Sequence, residues 1–422
     1  MYKKTTLDNG LRIVTYPMKR MQSAALGVWI KVGGRFETRE YKGIAHYLEH
    51  LVFKGSKKYS CRKIKESIEG IGGSLNGFTS EELTCYLVKL PGEHLDLATG
   101  ILSDMAINPL LEQVEIEKER TVILEEAKMY KDLPQSYVHE LLDELLWPGQ
   151  PLGTSIIGTT DSINRINKEN LSLFKNQYYV PSNMVVSAAG ALDHDKFAGR
   201  VKNIFSPLGN KSVSAFVKVQ EEQSGPQLKL LHKDTEQTHL ALGFHAFRRD
   251  HPLRYALGLL HIILGANMSS RLFNELREQR GLAYEIGTQA KYFLDTGAFI
   301  VHAGIDNRKV NESVELILKE LEKAKDELVS MDEFKRAKDF YLGQLALSLE
   351  ETLDHMLWVG ESIATLDTVF SLKDIIKKIN SIKREDIREV AGCVFNEKSL
   401  NLALIGPLKE SEQSIRGLLV LS

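Results

Sequence analysis

Histidines four residues apart on a helix share one face, and His46 and His50 are so spaced in the run His46-Tyr47-Leu48-Glu49-His50. Two imidazoles one turn apart can reach a single metal ion, because Zn–N bonds of roughly 2.0–2.1 Å require their nitrogens to converge. Glu49 lies only about 60° around the helix from His46, at about 100° per residue, so its carboxylate faces the same ion and any water beside it. This H-x-x-E-H order is the reverse of H-E-x-x-H, and both supply the parts for metal-assisted hydrolysis. The competing account is bland. The chain has 12 histidines, and a helix packed by Ala45, Leu48, Leu51 and Phe53 would leave both imidazoles on a solvated side.

A catalytic zinc needs a third protein ligand and an open position. The helical stretch 112–131 offers Glu119 and Glu126, seven residues apart and nearly in line. Glu112, Glu115, Glu117 and Glu125 share that stretch. Residue chemistry alone therefore leaves each of these carboxylates open to being a solvated surface charge.

The elements that must position these groups follow from periodicity. Strands are expected at 4–8, 11–17 and 24–32, around an Asp8-Asn9-Gly10 turn. Helices are expected at 42–54 and 61–70, the second stopped by Gly70, Gly72 and Gly73. A strand at 82–90 ends at Pro91-Gly92, followed by helices at 93–107, 112–131 and 134–147. A strand at 183–190 and a helix to about 205 precede a polar Gly/Pro-containing run over 206–226, the best linker candidate. Ala25-Leu26-Gly27 recurs as Ala241-Leu242-Gly243, and Ala188-Ala189-Gly190 matches the run ending at Gly406, both 216 residues later. The shared offset predicts two homologous halves, 1–210 and 227–422, each mixing a mainly antiparallel sheet with helices in an α+β arrangement.

A length of 422 residues exceeds one ordinary core. A formal net charge of -2 gives no general attraction to nucleic acid or anionic membrane. Cys61, Cys85 and Cys393 form no CxxC pair and are odd in number, which points to a reducing compartment and a cytoplasmic location. The amino-terminal residues show no signal-peptide pattern. Apolar runs such as 257–264 are far short of the ~18–20 residues that span a bilayer. No phosphate-cradling glycine motif is present.

The text from Gly43 to Gly55, the run Gly72-Gly73-Ser74-Leu75-Asn76-Gly77-Phe78-Thr79-Ser80, the segment from Glu119 to Glu126 and the run from Arg271 to Tyr284 together resemble the pitrilysin/insulinase class of inverzincin metallopeptidases. The similarity runs over essentially the whole length and is nearest to the mitochondrial-processing-peptidase-like branch. The resemblance implies His46, His50 and Glu126 as zinc ligands, Glu49 as the base toward water, and Glu119 as a carboxylate supporting the ligands. It implies that Arg277 and Tyr284, from a metal-free second half, position substrate and steady an oxyanion. It implies that Asn76, Gly77, Phe78, Thr79 and Ser80 form an edge strand to which extended substrate adds. On residue chemistry alone, Arg277 reads as a surface cation and Tyr284 as a packing aromatic.

Two stretches depart from the family pattern: Gln150-Pro151-Leu152-Gly153-Thr154, where His-Pro-Leu-Gly-Arg is usual, and Glu81-Glu82-Leu83, where His often follows Arg-Glu. They bear on substrate preference, not on the ligand set. The union of ligands, base and Arg–Tyr pair in one chain predicts an endopeptidase for peptides or unfolded segments, working as a homodimer or beside a second related subunit. A non-catalytic scaffold subunit is the alternative, and zinc content separates the two. If the 216-residue offset holds locally, His46, Glu49 and His50 correspond to Ile262, Gly265 and Ala266, and His261 is a core histidine.

Overall fold

Runs in which both alternating faces are apolar, such as Ala24-Ala25-Leu26-Gly27-Val28-Trp29-Ile30, mark strands covered on both sides. The structure, a computed structural model, describes residues 2–408 and 412–421. Its strands are β1 (Lys3–Thr6), β2 (Arg12–Pro17), β3 (Ser23–Ile30), β4 (Ser74–Thr79), β5 (Thr84–Pro91), β6 (Met184–Gly190), β7 (Gln227–His232), β8 (Gln237–Ala246), β9 (Ala283–Tyr292), β10 (Gly297–Asp306) and β11 (Asn401–Gly406). Its helices are α1 (Ile44–Val52), α2 (Cys61–Glu69), α3 (Leu95–Ile107), α4 (Gln113–Asp132), α5 (Pro134–Leu146), α6 (Thr160–Arg165), α7 (Lys168–Tyr178), α8 (His194–Phe205), α9 (Arg254–Leu264), α10 (Val310–Asp326), α11 (Met331–Leu347), α12 (Thr352–Leu366), α13 (Leu372–Ser381), α14 (Arg384–Val394) and α15 (Glu412–Leu418).

The strands form two sheets, ordered β1-β2-β6-β3-β5-β4 and β7-β11-β8-β10-β9. Setting β1 aside, the two orders are the same path, with one parallel pair in each, β2 with β6 and β7 with β11. This is the α+β architecture of two related halves.

Each sheet belongs to one of two compact units assembled from three segments. One unit is Met1–Ala127, Ser155–Val217 and Ala346–Val369; the other is Lys128–Thr154, Lys218–Leu345 and Phe370–Ser422. In the first unit, Leu26, Val28 and Ile30 join the main core with Ala45, Leu48 and Leu102. The opposite face, with Val14, Trp29 and Cys85, packs on Met356, Val359 and Ile363 of α12. In the second unit, Leu240, Leu242 and Phe244 share a core with α9, while Ala241, Ile300 and Ala403 pack on Val138, Leu141 and Leu142 of α5.

The repeated Ala-Leu-Gly has a packing cause. A Cβ on Gly27 would sit 2.5 Å from Met356 Sδ, and one on Gly243 would sit 2.9 Å from Leu142 Cδ2. Both glycines let the covering helix approach its sheet. The constant offset does not hold as register, however. Ala25 pairs with Ala189 whereas Ala241 pairs with Ala403, two residues short of the partner that an offset of 216 would give it. Two residues is the strand period, so the faces are preserved.

The linker run is irregular but docked. Arg35 lies 3.9 Å over the Phe216 ring and donates to Val217 O at 3.3 Å. Further on, Val219 N–H donates to Asp295 Oδ2 at 3.0 Å.

Candidate metal centre

Helix α1 buries Ile44, Ala45, Tyr47, Leu48, Leu51 and Val52, so its other face, carrying His46, Glu49 and His50, is half-buried. Its entry is sterically defined. Gly43 has φ +92°, and a Cβ there would lie 2.2 Å from Ile157 O, so the turn into α1 requires glycine. Gly43 offers no side-chain cap. The carboxylate of Glu37 accepts instead, from Gly43 N–H at 2.9 Å and Ala45 N–H at 2.8 Å. Tyr47 Oη donates to Ile116 O, tying α1 to α4.

Helix α4 buries Ile116, Glu119 and Ile123 at helical spacing, which orients Glu126 toward the same region. The structure brings three donors together. Glu126 Oε2 lies 3.8 Å from His46 Nε2 and 3.6 Å from His50 Nε2. The ligand atoms of His46, His50 and Glu126 all lie within 4.8 Å of one another, and no other such group of three occurs among the described residues. The two imidazole rings stand 4.7 Å apart, edge to face. Burial, then the neighbouring His50, lowers the His46 pKa to about 4, so this ring is neutral and its lone pair is available.

Glu119 lies behind the donors, 5% exposed. Its Oε2 is 3.1 Å from His50 Nδ1, and its Oε1 is 2.6 Å from Lys54 Nζ. Accepting from Nδ1 fixes the His50 tautomer and turns Nε2 outward. Glu49 is pushed above the ordinary carboxylate range, chiefly by burial and also by Glu126, against the opposing Thr79 hydrogen bond and His50. Thr79 Oγ1 donates to Glu49 Oε2 at 2.9 Å.

Thr79 closes β4, the last strand of its sheet, paired on one side with β5 alone. Phe78 on this strand is 37% exposed. Gly77 N–H is held by Asn76 Oδ1 at 2.8 Å, and Ser80 O accepts from Gly34 N–H at 3.1 Å.

In the second unit, Arg277 sits on a π-helical turn, Phe273–Gln279, with its guanidinium 4.8 Å from the Phe273 ring and 5.5 Å from the Tyr284 ring. Tyr284 is 73% exposed, which does not suit a packing aromatic. His261 Nδ1 is 2.7 Å from Thr288 Oγ1. The departing stretches have structural work. Glu82 pairs with Arg35 at 2.7 Å, both nearly fully buried, and Gln150 Oε1 accepts from Gln220 N–H at 2.9 Å.

Sequence reasoning missed Glu37 and Lys54. Glu37 stands in the charged stretch Arg35–Lys42 and reads as surface. One signal was available: a helix opening on Lys-Gly, without Ser, Thr, Asp or Asn at its cap, must have its first N–H groups answered from elsewhere.

The family model for insulinase, peptidase family M16, matches residues 12–160, and the model for the peptidase M16 inactive domain matches 165–341. A Streptomyces coelicolor protein named as an uncharacterized zinc protease is 35% identical over 418 residues, 98% of this chain and 91% of that protein. A Bacillus subtilis protein of the same description is 36% identical, covering 96% of this chain and 98% of that protein. The crystal structure of a protease from Helicobacter pylori superposes with a TM-score of 0.89 at 25% identity, over 96% of this chain and 99% of that one. A peptidase M16 inactive domain from Pseudomonas fluorescens, at 16% identity, shares the fold with a TM-score of 0.90 over 98% of this chain and 99% of that one. The chain therefore belongs to the insulinase-type peptidases of family M16.

Proposed function

We propose that this chain is a zinc-dependent endopeptidase that hydrolyses peptides or unfolded polypeptide segments, with Glu49 as its base. The observation that carries the reading is the convergence of His46, His50 and Glu126 on one small volume, with Glu49 beside it. Two imidazoles and a carboxylate are a donor set that suits zinc and leaves a position open. The naming of full-length relatives as zinc proteases supports the same metal. Zinc held there supplies Lewis acidity toward a carbonyl and lowers the pKa of its water toward about 7.

The chain's own residues do the rest. Glu49 takes a proton from the attacking water and returns it to the leaving amine. Thr79 holds Glu49 Oε2, which limits the carboxylate's rotation. Glu119, anchored by Lys54, orients the His50 ring. Arg277 and Tyr284 are proposed to position substrate and donate to the developing oxyanion. The segment Asn76 to Ser80 is proposed to take the substrate backbone as an added strand, displacing the Asn76 side chain from Gly77 N–H.

Two homologous halves, 1–210 with the zinc site and 227–422 with the Arg–Tyr pair, the mitochondrial-processing-peptidase-like branch, a homodimer and a cytoplasmic location complete the proposal. All three cysteines are unbridged, in keeping with a reducing compartment. Among the described residues no helix is long and apolar enough to cross a membrane.

Zinc content and cleavage of a peptide mixture, measured together, test the reading. His50→Ala is expected to lose both. Glu49→Gln is expected to keep zinc and lose roughly 10²–10⁴-fold in rate, the usual contribution of a positioned base. Native chain without zinc, or Glu49→Gln cleaving like native, would remove it.

A further inference from the structure

The two histidines of α1 are oriented in different ways. His50 Nδ1 is held by Glu119, 3.1 Å away. His46 Nδ1 is buried and has no hydrogen-bond partner among the described residues. With no hydrogen bond at Nδ1, the direction in which His46 presents its ring rests on packing and on the backbone of the first turn of α1, and that turn has an unusual anchor.

Ala45, which immediately precedes His46, gives its N–H to Glu37 Oε1 at 2.8 Å, and Gly43 gives its N–H to Glu37 Oε2 at 2.9 Å. Both carboxylate oxygens are thus used on one turn of helix. The anchor is itself fixed. Glu37 and Lys42 are each only 4% exposed. Lys42 Nζ lies 3.3 Å from Glu37 Oε2 and donates to Gly34 O at 2.6 Å. The Lys42 carbonyl accepts from Ser162 Oγ at 2.7 Å.

A serine or aspartate cap at the helix start would satisfy these donors at the surface. A buried ion pair is a costlier arrangement, because taking two charges out of water is only partly repaid by their attraction. What it adds is rigidity, since two short bonds and a fixed cation leave the first turn little freedom of pitch or depth. A negative charge at a helix N-terminus is also the favourable sign for the helix dipole.

We infer that Glu37, held by Lys42, is a positioning residue that sets the approach of His46 to the metal through the first turn of α1. The inference rests on the zinc reading of His46, His50 and Glu126, and it adds a residue to which neither the H-x-x-E-H spacing nor the ligand triad points.

Glu37→Gln tests it, because the amide keeps the size but puts an NH2 donor in place of one of the two oxygens that accept from Gly43 and Ala45 N–H. The double variant Glu37→Gln/Lys42→Met removes both charges together and leaves no buried cation unpaired, so it retains a folded chain should the single variant not fold. Three readouts apply: the zinc dissociation constant by competition with a chromogenic chelator, the visible spectrum of the Co²⁺-substituted protein, and thermal melting of the metal-free protein. Zinc affinity is expected to fall about 10–100-fold, the usual effect of removing a group that orients a ligand. The cobalt bands are expected to shift in both variants.

A folded variant with native zinc affinity and an unchanged cobalt spectrum overturns the inference, even if its melting temperature drops, since Glu37 would then be a helix cap and nothing more. Native protein that binds neither zinc nor cobalt overturns the zinc reading, and the inference with it.

Discussion

Helices α1 and α9 occupy comparable places, each following the central strand of its sheet, yet they spend their residues differently. In α1 the buried face is apolar and the other carries His46, Glu49 and His50. In α9 Tyr255, Ala256, Leu257, Leu259, Leu260, Ile262, Ile263 and Leu264 are all buried. Thirteen residues separate β3 from α1, but seven separate β8 from α9. Counted from the helix starts, His46, Glu49 and His50 therefore correspond to Ala256, Leu259 and Leu260, not to the residues a constant offset of 216 selects. In either alignment none of the three corresponding positions carries a metal-ligating side chain. One scaffold thus serves twice, once with a helix face left open for chemistry and once with that face filled for packing.

The largest expected effect concerns the scaffold. Sheet faces in the two units are covered by helices distant in sequence, α12 for the first and α5 for the second. A fragment ending at residue 210 lacks α12 and would expose Val14, Trp29, Cys85 and Val185. It is expected to show no cooperative thermal transition by circular dichroism and to bind a hydrophobic dye; a fragment melting near the full chain would break the comparison.

Acid should next load the buried histidines of the second unit, as it does His46 of the first. Burial, then His302, lowers both His139 and His261 to about 4, from 6.5. These folded-state values are depressed, so the unfolded chain takes up protons first as pH falls. Stability is complete above about pH 6.5 and is lost toward pH 4, by at most roughly 3 kcal/mol for each histidine. Denaturant titrations of His139→Gln with His261→Gln, compared with native across that window, should show a flatter pH dependence.

Smaller again, Leu260→His in α9 places a polar ring in a packed core and is expected to cost about 2–4 kcal/mol without creating a second metal site. Equilibrium unfolding and metal analysis of the same sample check both halves of that statement. Smallest, Glu119→Gln should leave the fold intact and weaken zinc binding about tenfold or somewhat more, roughly 1.4 kcal/mol upward, because Lys54 and His50 lose a shared carboxylate.

Much of this was legible in the chain. The spans expected at 42–54, 112–131 and 183–190 appear as Ile44–Val52, Gln113–Asp132 and Met184–Gly190, since apolar periodicity and Gly/Pro punctuation are local signals. The ligand helix was readable because two histidines and a glutamate at fixed spacing declare a face. Glu126 was not separable from five other glutamates by chemistry, because its role depends on how α4 packs on α1, which is tertiary. Glu37 was hidden for the same reason: its partners are backbone N–H groups, which carry no letter in the sequence. The swap of α5 and α12 between sheets could not be read from hydrophobic pattern, which says that a face is covered but not by what.

The central claim is that one cation is held by His46, His50 and Glu126, and none by the second unit. Crystals grown with zinc and measured at the zinc absorption edge test it directly. The account predicts one anomalous peak per chain, at about 2.0–2.2 Å from a nitrogen of each imidazole and from the Glu126 carboxylate. A peak elsewhere, or none at these three residues in zinc-saturated crystals, would contradict it.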